Sequence, residues 1–302
     1  MTSQALPSFL RNGVIIDGSL SGVSSLPFLQ ELIDGGFHAA NWTVAGGYGD
    51  GTLSTLAKIA ERYSIIEQNP DRLLLVERTT DIERARREGK FGVILGFQGV
   101  EPLEARFHFL AVYHKLGVRV IGLTYNSRNQ VGAGCLEPDD SRLTRFGVEV
   151  VREMNRLGIL LDLTHVGHRT SLEAAAASSA PVVFSHSNAK AVRDNPRNLT
   201  DEQIKACAAT GGVVGIATFA DFVGDTTGGR RPTLDEYFRH IDYVAQLVGL
   251  DHVGIGTDIF ADLLHVADVV VDLDRGRIHG VEDALQLRNL QPGLETVDDA
   301  GG

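Results

Sequence analysis

Eight short apolar runs recur along this chain and set what it can fold into. They are VIIDGS (14–19), HAANWTV (38–44), FGVILGF (91–97), RVIGLTY (119–125), GILLDLTH (158–165), APVVFSH (180–186), GGVVGIATF (211–219) and HVGIGTD (252–258). Each is rich in β-branched residues and bounded by Gly, Pro or polar residues, the pattern of a strand buried on both faces of a parallel sheet. Helical stretches lie between them. Residues 79–89 read as a helix capped by Thr79 or Thr80 and stopped by Gly89, and 141–158 closes on Gly158. Residues 200–212 open on a capping box of Thr200 and Gln203, and 233–249 repeat it with Thr233 and Glu236. Eight strand–helix repeats predict an α/β chain folded as a (β/α)8 TIM barrel. The expected organisation is one domain over 1–302, with a short N-terminal extension and an irregular C-terminal tail. A doubly wound sheet would need a Gly-rich phosphate loop after the first strand, and VIIDGSLSGVSS matches one poorly. Within 99–118, EARFHFLAVYHKLG fits a helix; 126–140 is a long turn-rich loop; 267–280 resembles a hairpin around Asp274-Arg275-Gly276.

With 43% hydrophobic and 22% charged residues, the 302-residue chain has enough apolar side chains for a substantial core. A formal net charge of −11 argues against nucleic acid and anionic membranes as partners. No apolar run approaches a membrane span, and MTSQALPSFLRNG lacks the features of a signal peptide. Cys135 and Cys207 read as free thiols of a cytoplasmic protein. Oligomeric state stays open, a homo-oligomer included.

In such barrels the polar residues at the C-terminal strand ends converge on one pocket. Here they are Asp17, Ser19 and Ser21; Asn41 and Thr43; Gln98; Tyr125 and Asn126; His165; His186; and Asp258. His165 and His186 end neighbouring runs and are placed to share one divalent metal, or to hydrogen-bond substrate; two ligands are fewer than catalytic zinc usually takes. Asp258 can act as general acid or base. Asp17 is placed to orient backbone amides. Gln98 is neutral and cannot replace a metal-bridging carboxylate. Arg197, in DNPRN (194–198), can fork onto a substrate carboxylate.

FGVEVVREMNRLGILLDLTHVG, APVVFSHSNAKAV, NPRN, GGVVGI and DHVGIGTD together resemble the membrane (renal) dipeptidase family over about residues 14–260. The resemblance implies a metallo-dependent hydrolase barrel in which two zinc ions cleave dipeptides. His165 and His186 match the two histidines that hold the second metal, Asp258 the acid that handles the leaving-amine proton, and Arg197 the contact to the substrate carboxylate. The family's His-x-Asp after the first strand is Ser19-Leu20-Ser21 here, its bridging Glu is Gln98, and its substrate-binding His after the fourth strand is Tyr125. The expectation is a divergent member with one zinc or none. It would act on a small carboxylate-bearing, dipeptide-like substrate contacted by Arg197, Tyr125, Asn126 and Gln98. The alternatives are a non-catalytic ligand-binding homologue, or a zinc dipeptidase whose ligands come from loops, such as Cys135 and Glu137.

Overall fold

The apolar runs become parallel strands. The chain's structure, a computed structural model, describes residues 13–21, 26–47, 49–259, 270–272 and 277–279. The expected N-terminal extension and most of the expected tail lie outside the described residues. In order, the barrel elements are β1 (Ile16–Leu20), α1 (Leu26–Asp34), β2 (Ala39–Ala45), α2 (Thr52–Gln68), β3 (Leu73–Leu75), α3 (Thr79–Arg87), β4 (Phe91–Phe97), α4 (Phe109–Lys115), β5 (Val118–Gly122), α5 (Arg145–Leu157), β6 (Leu160–Asp162), α6 (His168–Ala177), β7 (Val182–Phe184), α7 (Asp201–Ala209), β8 (Val213–Ile216), α8 (Ala220–Val223), α9 (Leu234–Val248) and β9 (Val253–Ile255). Beyond them, β10 (Val270–Asp272) pairs antiparallel with β11 (Arg277–His279), the two arms of the expected hairpin.

The parallel path runs β1-β2-β4-β5-β6-β7-β8-β9. Its ends meet through a parallel bridge between Leu20 and Ile259, and the Asp258 amide donates to the Ser19 carbonyl at 3.1 Å. The result is a nearly closed (β/α)8 barrel. β2 and β4 are buried along almost their whole length: β4 is an unbroken apolar run, and β2 is apolar apart from Asn41 and Thr43. Trp42, Phe91, Leu95, Phe97, Ile121 and Phe184 are among the largest fully buried side chains.

The helix signals act as read at α5, α7 and α9. Thr144 Oγ1 accepts from the Gly147 amide and Gly158 ends α5 at φ 74°; Thr200 with Gln203, and Thr233 with Glu236, form reciprocal capping boxes. Three elements differ from the sequence reading. β3 is a short Leu-Leu-Leu strand that pairs with the start of β4; three residues without β-branching carry too little pattern to find. The helix expected at 104–117 starts only at Phe109, because Glu104 and Ala105 adopt left-handed φ of 46° and 58°. At α3, neither threonine caps: the Asp81 carboxylate accepts from the Glu77 and Arg78 amides.

Asp17 stitches the barrel seam. One carboxylate oxygen accepts from the amides of Ser19 (3.1 Å) and Thr257 (2.8 Å), the other from the Thr257 hydroxyl (2.5 Å). Burial pushes this carboxyl up to about 6, against the opposing pull of these hydrogen bonds. A folded-state value above the unfolded one means protonation favours the fold: stability is gained as pH falls through about 6 towards 4, and withheld above it. Asp17→Asn should therefore flatten the pH–stability profile across this window, by up to about 3 kcal/mol. Urea melts of both proteins between pH 4 and 7 check this; parallel profiles would contradict it.

Candidate active site

A second buried carboxylate repeats the Asp17 device. Asp162, at the end of β6, accepts from the amides of Thr164 (2.9 Å) and Ser185 (3.0 Å) and from the Ser185 hydroxyl (2.5 Å). It locks together the turns that present His165 and His186 just past β6 and β7. The Ser185 carbonyl is packed over Gly18, Gly215 and Gly256; a Cβ at Gly256 would sit 1.7 Å from that oxygen, so only glycine fits there.

The two imidazoles meet, with Nε2 atoms 2.9 Å apart and both rings buried. His165 Nδ1 lies 2.7 Å from Asn126 Oδ1, and His186 Nδ1 lies 2.7 Å from Ser185 Oγ. The Tyr125 ring stacks on His165 at 4.4 Å between centroids. Arg197 reaches over the pair, Nη2 lying 3.4 Å from both His165 Nε2 and the His186 carbonyl, while its guanidinium rests on Phe222. Asp258 Oδ1 is 3.9 Å from His186 Nε2 and is buried without a hydrogen-bond partner. Asn126, His165 and Asp258 all adopt positive φ, of 61°, 67° and 54°. Three of the five non-glycine positive-φ positions among the described residues thus lie at this site.

Burial, reinforced by the neighbouring Arg197 charge, holds both histidines well below the usual imidazole range, so they are neutral near pH 7. Burial also pushes the Asp258 carboxyl up to about 7, against the opposing pull of Arg197. A carboxyl at that value can give or take a proton at neutral pH.

The other side of the mouth is neutral. Gln98 Nε2 points at the hydroxyls of Ser21 (2.7 Å), Thr43 (3.2 Å) and Ser19 (3.4 Å), and Ser21 Oγ lies 3.3 Å from Ser19 Oγ and 3.4 Å from Thr43 Oγ1. Nearby, Asn41 turns instead to the Gly18 carbonyl. The loop acid Glu137 binds the amide of Arg128 in its own loop, and Cys135 Sγ lies 3.4 Å from Asn126 Oδ1. Among the described residues no three His, Cys, Asp or Glu side chains form a ready metal cage. A cavity of about 220 Å³ opens beside His165 and Arg197, lined also by Cys135, His168, Lys190 and Gln203.

His165, His186, Arg197, Tyr125, Asn126 and Asp258 thus come together, with Gln98 facing them through Ser21 and the hydroxyl cluster. Asn126, expected to contact substrate, spends its side-chain oxygen on His165. Asp162 and Ser185 were not singled out from sequence. Their only signal was position: an acid three residues before one histidine and a serine next to the other.

The family model for membrane dipeptidase (peptidase family M19) matches residues 13–275. The chain is 32% identical to a dipeptidase of Clonostachys rogersoniana, over 73% of this chain and 56% of that protein. It is 36% identical to an uncharacterized dipeptidase of Schizosaccharomyces pombe, over 57% of this chain and 42% of the relative. The chain spans about half the length of these two relatives. The crystal structure of an amidohydrolase from Pseudomonas aeruginosa superposes with a TM-score of 0.79 at 36% identity, covering 89% of this chain and 82% of that one.

Gln98 Nε2 links the hydroxyls of Ser21, Thr43 and Ser19, and removing that donor strands them. Gln98→Leu should lower stability by about 1–3 kcal/mol without changing the cooperativity of unfolding. An unchanged midpoint in a urea melt would show that the cluster does not act as a unit.

Proposed function

The chain belongs to the membrane dipeptidase family, and from that premise we propose that its barrel mouth performs hydrolase-type chemistry on a small, carboxylate-bearing, dipeptide-like substrate, with one metal ion rather than two. The observation that carries this reading is the asymmetry of the mouth. On one side two neutral imidazole nitrogens converge at 2.9 Å beside an unpartnered carboxylate oxygen. On the other, hydroxyls and an amide satisfy one another and offer no anionic ligand.

The donor set fits a single cation, zinc being the natural choice for imidazole nitrogens. His165 and His186 would hold it. When bound, such an ion polarises a carbonyl and acidifies a water. The chain's own residues supply the rest. Arg197 receives the substrate carboxylate through a charge-assisted hydrogen bond. Asp258 holds or releases a proton at its unpartnered Oδ1. Tyr125 walls the site against His165, and Gln98 with its hydroxyl partners presents neutral donors to the polar end of the substrate.

Elemental analysis of protein dialysed against zinc is expected to find fewer than two equivalents, and His165→Ala to remove what is bound. Arg197→Ala should raise KM for a dipeptide about 10- to 100-fold, the worth of one charge-assisted hydrogen bond. Two tightly held metals would overturn the single-ion reading. Binding of dipeptides with no turnover would favour a non-catalytic ligand-binding role, to which the neutral cluster also lends itself.

A further inference from the structure

Each site histidine has its second ring nitrogen held by a group that leaves only one arrangement of hydrogens. Asn126 Oδ1 can only accept, so His165 Nδ1, 2.7 Å away, carries the hydrogen. The Cys135 thiol approaches the same atom from a second direction at 3.4 Å as a donor, which fits an oxygen at that position. Around His186 the logic runs through two links. Both Asp162 oxygens accept: one takes the amides of Thr164 and Ser185, the other the Ser185 hydroxyl at 2.5 Å. The single hydroxyl hydrogen of Ser185 is therefore committed to Asp162. Its oxygen must then accept from His186 Nδ1, 2.7 Å away.

Both rings consequently carry hydrogen on Nδ1, so a neutral ring of either histidine keeps its lone pair on Nε2. Those lone pairs face each other at 2.9 Å. Two neutral rings locked in this way have no hydrogen to share across that distance, and Arg197 Nη2 aims a donor at one of them from 3.4 Å. Two opposed lone pairs in a buried site repel unless positive charge lies between them.

We infer that Asn126 and the Asp162–Ser185 pair are positioning residues that fix both site histidines in the Nδ1–H form and hold their Nε2 lone pairs open toward one cation. The inference rests on the single-ion reading for the identity of the cation, but the locks exist without it. Orientation of ligating histidines through the other ring nitrogen commonly changes metal affinity 10- to 100-fold when lost.

The test is long-range proton–nitrogen NMR of the metal-free full chain at neutral pH, with zinc titration followed by calorimetry. Both rings are expected to show a protonated Nδ1 and an unprotonated Nε2, and zinc to move the Nε2 signals only. Ser185→Ala should release His186 into a mixture of tautomers and weaken zinc binding about 10- to 100-fold, with Ser185→Thr restoring both. Asn126→Gly keeps the left-handed backbone yet deletes the acceptor, and should do the same at His165; Asn126→Asp should preserve the Nδ1–H form. A ring found with hydrogen on Nε2 in the unaltered protein would overturn the inference. So would a folded Ser185→Ala protein with unchanged tautomer and zinc affinity. Locked Nδ1–H rings with no zinc binding would sink the single-ion reading and leave the locks standing.

Discussion

Two buried carboxylates hold this molecule to its purpose. Asp17, near the start of β1, and Asp162, at the end of β6, make the same bonds: an amide two residues on, an amide just past a neighbouring strand, and a hydroxyl from that neighbour. Asp17 joins β1 to the segment after β9 and so closes the ring. Asp162 joins the turns after β6 and β7 and so brings His165 and His186 to one point. Burying a carboxylate is costly unless donors surround it. In both places the donors are amides and hydroxyls, with no buried cation as partner among the described residues.

That economy shapes the mouth of the barrel. Among the described residues Arg197 is the buried cationic side chain on the histidine side; its field adds to burial in keeping both imidazoles neutral and opposes the upward push on Asp258. The acceptors His165 Nε2, His186 Nε2 and Asp258 Oδ1 therefore gather on one side. The hydroxyl and amide cluster of Ser19, Ser21, Thr43 and Gln98 occupies the other. On the proposed reading, a mouth divided in this way would take one positive charge and, separately, turn neutral donors to a polar substrate group.

Much of the fold was legible because a parallel barrel strand is buried on both faces and reads as an unbroken apolar run. β3 escaped because three leucines are no pattern, and the start of α4 was misjudged because left-handed backbone at Glu104 and Ala105 has no sequence signature of its own. The site histidines, Arg197 and Asp258 were legible from their positions at strand ends and in the loop after β7. Asp162 and Ser185 were not, since their role depends on which strands lie side by side. Asn126 was read as a substrate contact because strand-end position says nothing about which neighbour takes its oxygen. Tyr125 is the opposite case: its place beside the site was readable, and its ring contact with His165 adds a wall to it.

The central claim is that this barrel offers one cation site between His165 and His186 and none among Ser19, Ser21 and Gln98. Anomalous scattering at the zinc edge from zinc-soaked crystals tests it most directly. The account predicts a single peak at about 2.0–2.1 Å from both Nε2 atoms. A second peak of equal strength beside Gln98, or no peak at the histidine pair, would contradict it.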